Sequence, residues 1–242
     1  MGMIDFGIIA AGDGNRIKEE GSVLPKPLVD IEGEPMIGRL VNMMQKSGAR
    51  SISVIVNSDM PEVIGYLEYL RDNLKCELKI SDLKTPSSMH TMYELLRLME
   101  PKNKFIVTTV DTIFTQDAFI NYVDRFAKAG SNIDGVMGVT DYIDDEKPLY
   151  IATDQDMHIT AYLDYPQEDV KYVSAGIYGL KPKALHLLKE CIQTGMTRMR
   201  NFQRKLVETG EHLIAYNLGK VIDVDHLSDI EKANCLLNSF KH

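Results

Sequence analysis

Over its first 110 residues the chain alternates short apolar runs with amphipathic stretches, and that alternation restricts the fold more than any other feature. Ile8-Ile9 ends one run, Ser51-Ile52-Ser53-Val54-Ile55-Val56 forms a second, and Leu78 with Ile80 marks a third. Lys104-Phe105-Ile106-Val107-Thr108-Thr109-Val110 is the strongest. Each reads as a strand, and the stretches between them carry the helical period. Met36, Ile37, Leu40, Val41 and Met44 fall on one helix face after Pro35, a favourable first-turn residue, and Val63 to Leu70 and Met89 to Met99 repeat the pattern. Alternation of this kind predicts a mostly parallel sheet with helices on both faces. The second half reads differently. Strands are expected at Val136 to Val139, Leu149 to Ala152, Ile159 to Leu163 and Tyr172 to Leu180. A helix from Pro182, another near Phe202 to Glu208, a strand at Val221-Ile222 and a closing helix from Leu227 to Leu237 complete the chain. These later strands should add mixed or antiparallel pairing beside the first sheet. No Pro/Gly/Ser-rich linker divides the halves, so one domain over residues 1–242 is expected, with an N-terminal half to about 130 and a C-terminal half from about 131.

The first apolar run is broken by Gly12-Asp13-Gly14-Asn15-Arg16, and Pro25-Lys26-Pro27 follows after a polar loop. Without Cβ atoms, Gly12 and Gly14 let the backbone turn sharply and approach a ligand. Such turns expose successive N–H groups that suit anions. Arg16 brings a planar fork and Lys26 a point charge for phosphate oxygens. A G-x-G turn after a strand is often only a turn. It is no dinucleotide fingerprint, because Ile17 stands where a third glycine belongs, and no P-loop, because no G-K-[ST] follows.

Taken together, Ala10-Ala11-Gly12-Asp13-Gly14-Asn15-Arg16 and Pro25-Lys26-Pro27 through Gly33-Glu34-Pro35-Met36-Ile37 resemble the N-terminal signature of the nucleotidyltransferases that include the sugar-phosphate nucleotidylyltransferases. The resemblance implies a three-layer α/β/α sandwich with a mostly parallel mixed sheet, the Rossmann-like nucleotide-diphospho-sugar transferase fold. It implies that Ala10, Ala11, Gly12, Gly14 and Arg16 bind the nucleotide and that Arg16 and Lys26 are catalytic. A chain ending at His242 is expected to lack the left-handed β-helix that some larger relatives append.

Asp111 ends a central strand, at the sheet edge where ligands bind in open α/β folds. A carboxylate there serves Mg²⁺ binding or helix capping equally well by position alone. The resemblance implies metal binding. Asp223 and Asp225 alternate with apolar Ile222 and Val224, so their carboxylates share one side of a short strand. One side of a solvated edge strand before a helix capped by Ser228 would look the same. The resemblance favours Asp223 as second metal ligand, with Asp225 as its neighbour or substitute. Thr85-Pro86-Ser87-Ser88-Met89-His90 aligns with the family's base-reading loop, where relatives often have G-T-A, so Ser88 is expected at the nucleotide and the base is left open. His90 reads as a helix residue rather than a catalyst.

Val173-Ser174-Ala175-Gly176-Ile177-Tyr178 resembles the strand that lines the acceptor pocket, which implies Gly176 and Tyr178 there; an ordinary strand with a close backbone approach fits equally. Many sugar nucleotidylyltransferases carry E-K-P just before this strand, with the lysine on the sugar phosphate. Here Asp164-Tyr165-Pro166 takes its place, leaving Lys147 or Lys171 as substitutes.

A net charge of −8 argues against a nucleic-acid surface. Three distant cysteines make neither a disulfide framework nor a zinc pattern, which points to a reducing cytoplasm. No apolar run reaches the ~18 residues of a membrane helix. The N-terminus lacks the basic and apolar regions of a signal peptide. Met1-Gly2 begins like a myristoylation site, but Phe6 occupies the Ser/Thr position. The expected function is Mg²⁺-dependent joining of an NTP to a phosphorylated acceptor, a sugar 1-phosphate first, with release of pyrophosphate. Cytidylyl or guanylyl transfer to phosphocholine, an inositol phosphate or molybdopterin is the alternative. Five tyrosines in the second half could cage a quaternary ammonium. A non-catalytic nucleotide-sensing module is the rival of another class. A homo-oligomer is left open.

Overall fold

A computed structural model describes residues 4–239, so the Met1-Gly2 motif and the chain end at His242 lie outside the described residues. β1 (Ile4–Ala10) leads through α1 (Asn15–Glu19), a single 3₁₀ turn at Lys26–Leu28, and the short pair β2 (Asp30–Ile31) and β3 (Glu34–Pro35) into α2 (Met36–Lys46). β4 (Ala49–Val56), α3 (Pro61–Arg71), β5 (Glu77–Asp82), α4 (Ser88–Met99), β6 (Phe105–Thr109), β7 (Thr112–Ile113) and α5 (Gln116–Ala127) complete the first half. The second half runs β8 (Gly135–Thr140), β9 (Tyr150–Thr153), β10 (Ile159–Leu163), β11 (Tyr172–Leu180), α6 (Ala184–Gln193), α7 (Met199–Glu208), β12 (Leu213–Asn217), β13 (Ile222–Asp223) and α8 (Leu227–Asn238).

Nine strands form the main sheet in the order β10-β9-β11-β6-β1-β4-β5, with β8 on β11 and β12 on β8. Pairing is parallel through β5, β4, β1 and β6. It turns antiparallel where β11 meets β6, β8 and β9. The change of direction follows the change of sequence pattern near residue 130.

Alternate strand residues feed two cores. Phe6, Ile8, Val54 and Ile106 pack with the apolar faces of α2, α3 and α5. Ile9, Ile55, Phe105 and Val107 pack with α4, α6 and α7 on the other face. This is the three-layer arrangement that period-2 strands between amphipathic helices require. Gly7 permits a close approach of α4 to β1: a Cβ there would lie 2.8 Å from Leu95 Cδ2 and 2.9 Å from Met99 Sδ.

A third, smaller cluster positions the site. Ile17, Val29, Ile31, Met36, Ile113, Ile222, Val224, Ala233, Leu236 and Leu237 pack together. It fastens the segment after the glycine turn and the late β13 strand to β7. β13 pairs with β7 through Ile222–Ile113 and Asp223–Thr112. Ser228 does not cap α8. The Asp229 carboxylate accepts from the N–H of His226 at 2.9 Å and Asp225 at 3.2 Å, and Glu20 accepts from the Leu227 N–H at 2.7 Å. A carboxylate one turn into the helix, helped by Glu20 just past the end of α1, satisfies the orphan N–H groups instead.

Far from the site, Asp134 ties three strand ends together. It accepts from the His212 N–H at 3.0 Å and meets Lys183 at 2.8 Å and Lys181 at 3.4 Å. Burial opposes its charge, but Lys183, His212 and Lys181 outweigh it and hold the carboxyl at about 2. A carboxyl held below its unfolded value adds stability that is complete above pH ~4 and is lost as pH falls toward 2. Asp134→Asn is expected to remove about 2 kcal/mol at neutral pH and to flatten stability against pH over that acid range. Urea unfolding at stepped pH measures both.

Candidate active site

Two cavities open at the carboxyl ends of β1 and β6. The first, about 410 Å³, is lined by Gly12, Gly14, Arg16, Lys26, Asp111 and Asp225, with Ser87, Ser88 and Thr91 opposite. The second, about 1290 Å³, is lined by Gly176, Tyr178, Lys147, Arg198 and Asp223 among others. Ser87, Ser88, Thr109 and Asp111 belong to both walls. Two substrates could therefore meet at Asp111.

Gly14 adopts φ +61, and a Cβ there would lie 2.8 Å from Lys26 Cβ, so packing of the Lys26 segment demands glycine. Gly12 is different. Its φ is ordinary, and no protein atom lies within 4 Å of where its Cβ would be. The missing side chain leaves a cradle in the cavity wall. Ile9 and Ala11 face that cavity, whereas Ala10 is buried on the opposite face, in the core with α2 and α3. Any contact from Ala10 would have to be made by its backbone. Asn57, buried and overlooked in the sequence, donates to Asp13 Oδ1 at 2.8 Å and to the Ala11 carbonyl at 3.4 Å, bracing the turn.

Lys26 is buried at 8% exposure. Its Nζ lies 2.6 Å from Asp111 Oδ2 and 2.6 Å from Asp225 Oδ1, and Arg16 pairs with the other oxygen of Asp225. Burial opposes the Lys26 charge, but Asp111 and Asp225 outweigh it and hold the ammonium well above the usual lysine range. Burial pushes Asp225 up, yet Lys26 and then Arg16 pull it below the usual carboxylate range. Asp223 has neither cation as a direct partner. Solvent reaches it through the cleft, but the surrounding protein, then Asp111 and Asp225, push its carboxyl well above the usual range. The Val224 N–H donates to the Asp111 carbonyl at 3.0 Å, which locks the two acidic segments side by side. Asp225 is thus engaged by cations, while Asp223 is a carboxylate short of one.

Whether these side chains suit a divalent ion follows from the donor set. Among the described residues no three His, Cys, Asp or Glu side chains are assembled to hold a metal unaided. Mg²⁺ takes one or two carboxylates and completes its shell with water and phosphate oxygens. Asp111 and the unpaired Asp223 fit that requirement.

Ser87 rather than Ser88 caps α4; its hydroxyl lies 2.9 Å from His90 Nδ1. Ser88 is exposed on the ridge between the cavities. Gly176 has φ +66 at a register shift in β11, and a Cβ there would lie 2.6 Å from Thr112 Oγ1 and 2.7 Å from Thr109 Oγ1. Its glycine is required by this close approach, and it also lines the larger cavity. Tyr178 is buried; burial first, then Asp223 and Asp111, raise its phenol above the usual range. Lys147 lines the larger cavity and Lys171 does not. Sequence reasoning overlooked Arg198, Arg200 and Arg204, which also line it. The only local sign was a cluster of arginines at one helix start.

The nucleotidyl transferase family model matches residues 7–239. The chain belongs to that family. It is 24% identical over 241 residues to the bifunctional protein GlmU of Methanococcus maripaludis strain C5, covering 96% of this chain and 54% of that protein. The chain therefore spans about half the length of the curated relatives it matches first. Among solved structures, the inositol-1-phosphate CTP transferase of T. maritima superposes with a TM-score of 0.77 at 16% identity, covering 99% of this chain and 98% of the other. A UDP-glucose pyrophosphorylase complexed with UDP-glucose superposes with a TM-score of 0.78 at 16% identity, covering 99% and 98%. At these identities the likeness establishes the shared α/β fold.

Proposed function

We propose that this chain transfers a nucleotidyl group from an NTP to a phosphate monoester, releasing pyrophosphate, with Mg²⁺ as cofactor. The acceptor is a ring polyol carrying one phosphate, a sugar 1-phosphate before an inositol phosphate. The observation that carries the reading is the meeting of two cavities at Asp111, one rimmed by the glycine turn with Lys26 and Arg16. The sugar-nucleotide and inositol-phosphate enzymes of the same fold support the acceptor class.

In this reading the triphosphate lies against the Gly12–Gly14 turn. Lys26 and Arg16 leave Asp225 for the phosphates and offset charge building on the departing pyrophosphate. Asp111 and Asp223 would hold Mg²⁺, which when bound supplies charge neutralisation and orientation at the phosphates. The acceptor phosphate has a second pKa near ~6, so it is largely ionised at pH 7 and attacks without a general base. That suits a site with no histidine on either cavity wall. Catalysis is then positioning plus electrostatics. The carboxylates Asp111 and Asp223, placed together, favour this over a silent nucleotide sensor.

The test is pyrophosphate release with each NTP against a panel of phosphorylated acceptors. Turnover with one pairing supports the reading; silence across the panel overturns it. Gly12→Ala separates ligand space from folding. Because Gly12 has open space and an ordinary φ, the variant should melt at or slightly above the parent, by at most about 1 kcal/mol. Its NTP KM should rise by about 10-fold or more, since the methyl fills the cradle. Unchanged NTP binding in Gly12→Ala would remove the phosphates from this turn.

A further inference from the structure

The larger cavity presents a charge problem that the family pattern does not answer. Tyr165, where a lysine is expected, is an uncharged side chain at 79% exposure. Four cations line the cavity, and their donors are used unequally. Arg204 is engaged through all three nitrogens: Nε donates to the Tyr162 carbonyl at 3.1 Å, one terminal nitrogen to Asn201 at 3.3 Å, and the other meets Asp164 at 2.7 Å. Arg200 is half occupied, donating to the same Asp164 oxygen at 2.6 Å and to the Lys147 carbonyl at 3.0 Å. These bonds join three separate segments: the loop before β9, the loop after β10 and the start of α7. Both arginines hold Asp164 below the usual carboxylate range, so it stays charged. The remaining two cations are free. Among the described residues, neither the Arg198 guanidinium nor the Lys147 ammonium has a hydrogen bond or ion pair.

We propose that Arg198 and Lys147 bind the acceptor's phosphate group, and that Asp164 is a positioning residue which, through Arg200 and Arg204, presents them to the cleft. This rests on the nucleotidyltransferase reading above. A phosphate dianion fits a free planar fork and a free point charge on the wall of one cavity. The clamp neutralises part of its own charge, which leaves the unpaired pair as the strongest attraction for an anion. The same cations could instead serve the donor's triphosphate, and kinetics separate the two sources.

The experiment is steady-state kinetics with whichever acceptor and NTP give turnover in the panel. Silence of the parent protein overturns both the reading and this proposal. With an active parent, Arg198→Ala and Lys147→Ala should each raise acceptor KM by about 10- to 100-fold, as expected for loss of a charge-assisted bond. NTP KM should stay within about twofold, and Arg198→Lys should recover part of the loss. Asp164→Asn should raise acceptor KM by about 3- to 10-fold, with kcat, NTP KM and melting temperature nearly unchanged. A merely structural role would move the melting temperature and both KM values together. Lys171→Ala is the control, with no change expected, since Lys171 is exposed and off the cavity wall. Acceptor KM within about twofold of the parent in both Arg198→Ala and Lys147→Ala overturns the proposal while leaving the reading intact. A rise in NTP KM alone assigns these cations to the donor and overturns it equally.

Discussion

Replacing Lys26 with alanine is expected to lower kcat by about 10²- to 10³-fold at saturating NTP, the usual loss for one preorganised charge contact to a transition state. The position of Lys26 between two prolines in a polar loop predicts a loss in turnover far larger than the loss in stability. The structure changes that expectation for stability. Lys26 is buried and bridges Asp111 and Asp225, so its removal leaves Asp111 without a cation and Asp225 with Arg16 alone, beside the already unpaired Asp223. Breaking a buried pair costs about 3–5 kcal/mol. Here the carboxylates are 24% and 31% exposed, so about 1–3 kcal/mol is expected. The two effects separate experimentally. Added Mg²⁺ should restore much of the lost melting temperature of Lys26→Ala, because it supplies the missing positive charge, and should not restore turnover. A folded Lys26→Ala protein with parental kcat would remove Lys26 from the chemistry.

Asp111→Asn and Asp223→Asn should each cost about 10³-fold or more in kcat/KM, equivalent to several kcal/mol of transition-state charge stabilisation. The double variant should be little worse than either, because two ligands of one ion act as a unit. Stability should move in opposite directions. Asp223 carries a charge that the surrounding protein, Asp111 and Asp225 all disfavour, so its neutral replacement should raise the melting temperature of the metal-free protein, by roughly 2 °C or less because solvent screens it. Asp111 is a partner of Lys26, so Asp111→Asn should lower it. Calorimetry without metal, beside pyrophosphate-release kinetics with it, reads both. Additive catalytic losses in the double variant would separate the two residues into independent roles.

Much of the sheet was legible because its determinants are local. Short apolar runs mark Ser51–Val56 and Lys104–Val110; the structure extends the first back to Ala49 and trims the second to Phe105–Thr109. Helical periods and Pro35 mark α2. The α7 start at Met199 was missed because Arg198-Met199-Arg200 carries too little apolar periodicity to show a helix before Phe202. Ser228 is a good cap by type, but Asp229 and Glu20 accept from the N–H groups of Asp225, His226 and Leu227 with full charges, and the helix starts after His226 instead.

By itself the sequence determined which residue types stand at strand ends: a glycine turn after β1, an aspartate after β6 and alternating aspartates at β13. Strand period and turn chemistry act over a few residues, and they leave those groups at one sheet edge. Pairing across that edge was decided only by tertiary structure. Lys26 meets Asp111 across 85 positions and Asp225 across 199, and the small core under α8 sets that encounter. That core divides the work of two similar aspartates, giving cations to Asp225 and leaving Asp223 without them. A charge is shared by whichever groups packing brings within a few ångströms, and no local pattern records that distance.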